Sequence, residues 1–204
     1  GGYEGADHLN RDGRPLDMAR ETGHLARLDE DHAAARAAGL SCVRESIGWR
    51  LAEPAPGRYD FRRAQAIAAS ARRHGLQVLW TFMHYGTPPG VSLLDDAVVG
   101  RFAAFAAAAA AALRPWHADD GEPPVYSLVN EIGFVSWVVS SGDLFHPYRP
   151  REVGAGSEVS GYEVKRRLVR AVLAGMSAVR AVDPRARFLH VEPVIHTVPP
   201  PGRD

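Results

Sequence analysis

In the stretch PPVYSLVNEIGFVSW, residues 123 to 137, an apolar run ends on two adjacent polar side chains, Asn130 and Glu131. A carboxyl in that place, walled by Ile132 and Phe134, is expected to be partly desolvated. Desolvation favours the protonated form and raises the pKa toward the range of a general acid at neutral pH. Asn130 offers a donor and an acceptor together, which suits a sugar hydroxyl. The same pair would serve equally well as a cap for the loop or helix that follows. Other polar groups stand in similar surroundings: Arg44 and Glu45 in GLSCVRESIGW, His84 in GLQVLWTFMHYG, and His190 and Glu192 in RFLHVEPV. Arg44 has a structural alternative, an ion pair with Glu45, and a lone His84 is by default a hydrogen-bonded core histidine. His190 and Glu192 share a strand face because they are two residues apart. With His84 and Glu131 they form a donor set acceptable to a divalent metal.

These residues need elements to position them. Short apolar segments rich in β-branched and aromatic residues predict strands at Ser41 to Ile47, Leu76 to Met83, Val125 to Asn130 and Arg187 to Val194, with a fifth near Gly1 to Gly5. Helical patterns fall between them at Leu25 to Ala38, Phe61 to His74, Asp95 to Leu113 and Tyr162 to Val182, with Gly75 and Pro184 as stop signals. Strands that are apolar on both faces and separated by helices belong to a parallel sheet. An open dinucleotide-binding sheet would carry G-x-G-x-x-G after its first strand, and none occurs. The alternative is a barrel of the (β/α)₈ type. There the C-terminal ends of the strands carry the active site, and those ends are where Arg44, His84, Asn130, Glu131 and Glu192 fall. Residues 132–161 lack clear periodicity and read as a long rim loop suited to substrate binding, with Trp137 as its aromatic platform. Trp49 and Trp80 read as core.

Composition narrows the classes. The chain has 204 residues, 46% hydrophobic, with 24 basic and 24 acidic side chains, which predicts a single domain over 1–204 with a sizeable core. Zero formal charge gives no reason to expect nucleic acid or an anionic membrane as partner. Basic runs such as Arg62-Arg63 and Arg72-Arg73 read as solvated helix faces. The only cysteine, Cys42, fits a reducing compartment, so the expected location is cytoplasmic. The alanine-rich run Phe102 to Leu113 is shorter than the roughly 20 residues of a membrane span, and no signal peptide is visible.

Three of these stretches carry a resemblance. GLSCVRESIGWRLAEPAPGRYDF, GLQVLWTFMHYGTPPGV and PVYSLVNEIGF look in series like the second, third and fourth barrel strands of clan A glycoside hydrolases, nearest to the family 1 β-glucosidase type. Arg44, Ser46, Trp49 and the turn from Pro54 to Phe61 resemble the second-strand pattern. His84-Tyr85 resembles the third strand's His-aromatic pair, and Asn130-Glu131 the fourth strand's Asn-Glu pair. The resemblance implies a (β/α)₈ barrel that hydrolyses β-glycosides with retention. It implies Glu131 as acid/base, Asn130 on the sugar 2-hydroxyl, His84 on another hydroxyl, and Arg44 beneath the nucleophile. Glu4 and His8, in a first-strand region of looser resemblance, would touch the sugar, and Glu192 would be a pocket residue.

No cofactor or metal is implied. Retaining enzymes need two carboxyls about 5–5.5 Å apart, and the family's nucleophile lies on the seventh strand. This chain reaches its fifth predicted strand, so about five of eight units are expected here and the chain alone is expected to be inactive. Two alternatives stay open: a metal-dependent sugar isomerase built on His84, Glu131, His190 and Glu192, and a non-catalytic carbohydrate-binding partial barrel that self-associates through its unpaired edge.

Overall fold

The computed structural model describes residues 1–117, 121–141, 144–148, 160–194 and 198. Four parallel strands, β1 (Cys42–Ser46), β2 (Gln77–Met83), β3 (Val125–Val129) and β4 (Arg187–Phe188), pair in sequence order. The N-terminal segment runs beside β1 through a parallel bridge from Gly2 to Arg44, at the place expected for a further strand. The helices are α1 (Met18–Glu21), α2 (Leu28–Ala37), α3 (Trp49–Ala52), α4 (Arg62–Arg73), α5 (Ala97–Leu113), α6 (Ile132–Ser141) and α7 (Gly161–Val182), with a 3₁₀ turn at His24–Ala26. The α/β alternation with a parallel sheet is therefore the one the sequence predicts.

β1, β2 and β3 are buried on both faces over most of their length, which is why they carry little alternation. Register sets the rim. Ser46 pairs with Thr81 and Met83 with Val129, so the residues just past each strand, Ile47, His84 and Asn130, emerge at one end of the sheet.

Behind the sheet, α5 buries Ala106, Ala109 and Ala110 between the larger anchors Val98, Phe102, Phe105 and Leu113. Small side chains let it lie close along α7, where Gly175 leaves room for Phe102. Trp49 closes this layer, its ring 5.2 Å from Phe102 and 5.7 Å from Phe105. The stretch Ala97–Trp116 is long and apolar enough to cross a membrane by length and composition, longer than the run counted from sequence. Its apolar face is occupied by the core of the fold: Phe105, Ala106, Ala109 and Leu113 are fully buried.

Two expectations need correction. The segment 132–161 does not begin as a loop: its first ten residues are α6. Ile132, Val135, Val138 and Val139 form its buried stripe, but IGFVSWVVSS is apolar nearly throughout, so no polar face marks the helical period. Residues 142–143 and 149–159 of that segment lie outside the described residues. The last strand is shorter than the Arg187 to Val194 expected: β4 ends at Phe188, and pairing resumes only as a bridge between Val191 and Asn130.

Candidate active site

Arg44 and Glu45 are consecutive on β1, so their side chains leave opposite faces of the sheet. The ion pair between them that the sequence allows is not formed. Arg44 donates from Nε to the Thr81 hydroxyl at 2.8 Å and from Nη2 to Asn130 Oδ1. A guanidinium only donates, so this contact fixes which end of the Asn130 amide is oxygen. The amide nitrogen then donates to the Tyr85 hydroxyl at 3.0 Å. Asn130 is held by both ends and is almost completely buried.

Tyr85 links the amide to the carboxylate. Its hydroxyl also meets the Glu131 side chain; burial, the Glu131 charge and that hydrogen bond push the phenol well above its ordinary range. Both residues stand at positive φ, 79° for Tyr85 and 50° for Glu131, a region that residues with a Cβ rarely occupy. Glu131 is half-buried. Its amide donates to Val191 O at 2.9 Å and its carbonyl accepts from Val135, so its backbone opens α6. The side chain that accepts from the first turn of α6 is a different one: Glu192 Oε1 takes the Gly133 N–H at 2.8 Å.

His84 is buried at the end of β2, with Nδ1 3.2 Å from the Ser46 hydroxyl. Burial, with help from the Arg44 and His8 charges and against Glu4, lowers its pKa to about 4. It is therefore a neutral imidazole near neutrality, and the 3.7 Å approach of Glu4 Oε1 to Nε2 is a polar contact rather than an ion pair. Glu4 is exposed and also accepts from the Ala6 amide. The N-terminal strand reaches this depth because Gly5 has no side chain: a Cβ there would sit 2.1 Å from Ser46 Oγ.

The structure thus brings Arg44, His84, Asn130 and Glu131 to one end of three successive strands, with Glu4 at the edge. Trp137 and Glu192 lie to one side. Trp137 projects from α6, 54% exposed, its ring 5.9 Å from Phe134. Together with Gly133, Phe134 and Pro193, Trp137 and Glu192 line a shallow depression of about 250 Å³. Larger clefts of about 380 and 410 Å³ open on the rim beside Tyr85 and His8. A cleft of about 610 Å³ lies at the opposite end of the strands, lined by Ser41, Gln77 and Glu122. In parallel barrels that end serves stability, not chemistry.

No protein-family model and no curated protein matches the chain. Solved structures do. A β-glycosidase matches at 18% identity over 81% of this chain and 44% of its own, with a TM-score of 0.62. A hyperthermophilic β-glucosidase mutant matches at 16%, over 79% and 45%, with a TM-score of 0.65. The family 1 β-glucosidase from Thermotoga maritima matches at 18%, over 83% and 38%, with a TM-score of 0.64. The fold is that of the TIM-barrel β-glycosidases. The chain spans less than half the length of these structures, and its four strands form part of such a barrel.

Within this β-glycosidase-type sheet, the hydroxyls of Thr81, Ser46 and Tyr85 hold Arg44, His84 and Asn130, contacts that the sequence does not assign. Tyr85 stood in the His-aromatic motif, yet only the structure reveals that its hydroxyl bridges Asn130 and Glu131. The metal set proposed from sequence does not assemble. His190 pairs with Glu192 at 3.1 Å on the exposed side, while His84 faces Ser46. Among the described residues the one group of three that could hold an ion is His24, His32 and Glu45.

Proposed function

We propose that the chain is the acid/base-bearing part of a β-glycosidase barrel that cleaves β-O-glycosides with retention. Glu131 is the acid/base: it donates a proton to the glycosidic oxygen as the bond to the sugar breaks, and in the second half-reaction takes one from the attacking water. Asn130, held by Arg44 and Tyr85, presents its remaining amide capacity to a sugar hydroxyl. His84, neutral, takes another, with Glu4 at the sugar's edge. Trp137 and Glu192 form an outer subsite, an indole face being suited to stacking on a pyranose. The nucleophilic carboxylate that retention requires would come from another part of the barrel, so activity belongs to the complete barrel.

One observation carries this reading: Glu131 and Tyr85, both at positive φ, meet through their side chains at the C-terminal rim of a β-glycosidase fold. Strained backbone maintained at a site is a mark of function. In the complete barrel, Glu131→Gln is expected to reduce kcat/KM, which reports the bond-breaking half-reaction, by about 10²–10⁴-fold for glycosides with poor leaving groups, while kcat/KM for activated aryl β-glycosides falls far less, because their leaving groups depart without a proton. Equal losses on both substrates would remove Glu131 from this role.

A further inference from the structure

Away from the rim, on the opposite face of β1, three ligand-type side chains are buried together. Glu45 Oε1 lies 2.9 Å from His24 Nε2 and 3.0 Å from His32 Nε2. The three residues are 2%, 3% and 0% exposed. Each imidazole is held from behind. His24 Nδ1 is 2.6 Å from Asp31 Oδ2, and its ring stacks on Tyr3 at 3.8 Å. His32 Nδ1 is 2.9 Å from Ser70 Oγ, whose own proton goes to Asp29 at 2.6 Å.

Counting protons along this chain is informative. Ser70 has one proton and gives it to Asp29, so His32 Nδ1 must donate to Ser70. His24 Nδ1 faces a carboxylate, so it must donate as well. A neutral imidazole carries only one proton, so with both Nδ1 atoms protonated both Nε2 atoms are bare lone pairs converging on a carboxylate oxygen. Without a metal, His24 can be a single imidazolium donating to Asp31 and Glu45, but His32 Nε2 then still turns a lone pair on the same Glu45 oxygen unless a further proton is held there. A divalent cation resolves the conflict: it accepts both lone pairs and the carboxylate, and its charge equals that of the two protons it replaces. The backing also has the form that metal-ligating histidines take, the distal N–H donating to a carboxylate or hydroxyl that fixes the tautomer.

We infer that His24, His32 and Glu45 bind a divalent transition metal, zinc by the softness of the donors, as a structural ion joining the 3₁₀ turn, α2 and β1. Zinc bonds of about 2.0–2.1 Å would set the ligand atoms roughly 3.3 Å apart, so the two carboxylate–imidazole separations of 2.9 and 3.0 Å need to open by only a few tenths of an ångström. Burial leaves no path for a substrate, and a water would complete the coordination. The inference is independent of the glycosidase reading, since no rim residue takes part.

The test uses the chain produced without a histidine tag, loaded with Zn²⁺, dialysed against metal-free buffer and measured for metal by mass spectrometry. The expected result is one zinc per chain, a melting temperature that falls on chelation, and an intense visible absorption of tetrahedral type when Co²⁺ is substituted. Glu45→Gln and His32→Gln should each abolish retention, while His190→Gln, at the exposed surface, should leave it unchanged. If either ligand variant fails to fold, the cobalt spectrum and the zinc-dependent melting of the unaltered chain still decide. Retention below about 0.1 ion per chain with melting indifferent to chelator would overturn the inference. So would zinc retention that survives both ligand substitutions, since the ion would then sit elsewhere on the surface.

Discussion

Tyr85 and Glu131 each hold a backbone conformation that costs on the order of 1–3 kcal/mol, and their neighbours set what that strain maintains. The Tyr85 hydroxyl receives a hydrogen bond from Asn130 and meets Glu131. Tyr85→Phe is therefore expected to leave the melting temperature within a few degrees while lowering kcat in the complete barrel about tenfold or more, which steady-state kinetics on a poor-leaving-group glycoside would measure. A second residue-scale effect concerns Asp7. Burial raises its pKa to about 7, against the pull of Arg50 and the Gly86 amide. A carboxyl whose folded pKa exceeds its unfolded value stabilises the fold fully below the unfolded pKa near 3.9, and that contribution is lost as pH rises toward 7. Asp7→Asn should accordingly raise stability at pH 8 by on the order of 4 kcal/mol and change little at pH 4, as denaturant titrations at the two pH values would reveal. His8 and His84, both lowered to about 4 by burial, act in the other direction. They favour the folded state above pH 6.5, and that contribution is lost on acidification.

At the scale of elements, α6 is the part that aims the site. It starts immediately after Glu131, and its first turn is held by Glu192 from beyond β4 rather than by Asn130 or Glu131. Glu192 therefore joins the end of the sheet to the helix whose entry sets the φ of Glu131. Glu192→Ala is expected to cost about 0.5–2 kcal/mol, the range for losing a helix N-terminal acceptor, and thermal unfolding would measure it. Glu192→Gln, which keeps an oxygen in place, should lose less. This element was hidden in the sequence because its exposed positions are also apolar, Trp137 among them. By contrast, α4 and α7 were legible because their charged and apolar faces separate cleanly.

At the scale of the molecule, the sheet has one side better covered than the other. β1 has the N-terminal segment alongside it, whereas among the described residues β4 has β3 on one edge and no strand on the other. Near that edge Leu189 is 45% exposed, and α7 presents Tyr162, Val169 and Leu173 to solvent. An unpaired edge beside exposed apolar side chains favours association. The chain by itself is expected to run as dimers or larger species at micromolar concentration in light scattering coupled to size exclusion. Leu173→Glu with Leu189→Glu should shift it toward monomer. A monodisperse monomer at those concentrations would contradict this expectation.

The α/β alternation, the parallel sheet and the rim position of Arg44, His84, Asn130 and Glu131 were determined by the sequence, because strand ends and apolar runs are local properties and a parallel register aligns successive ends. Partnerships were decided by the tertiary structure. Glu45 is adjacent to Arg44, yet the pleat sends it to the far side of the sheet, where His24 and His32 meet it from other elements. Glu192 lies two residues from His190 and is within hydrogen-bond distance of it, yet it also serves the first turn of a helix, at Gly133, 59 residues earlier in the chain. Contacts between residues so far apart depend on which faces pack together, and no local pattern encodes that.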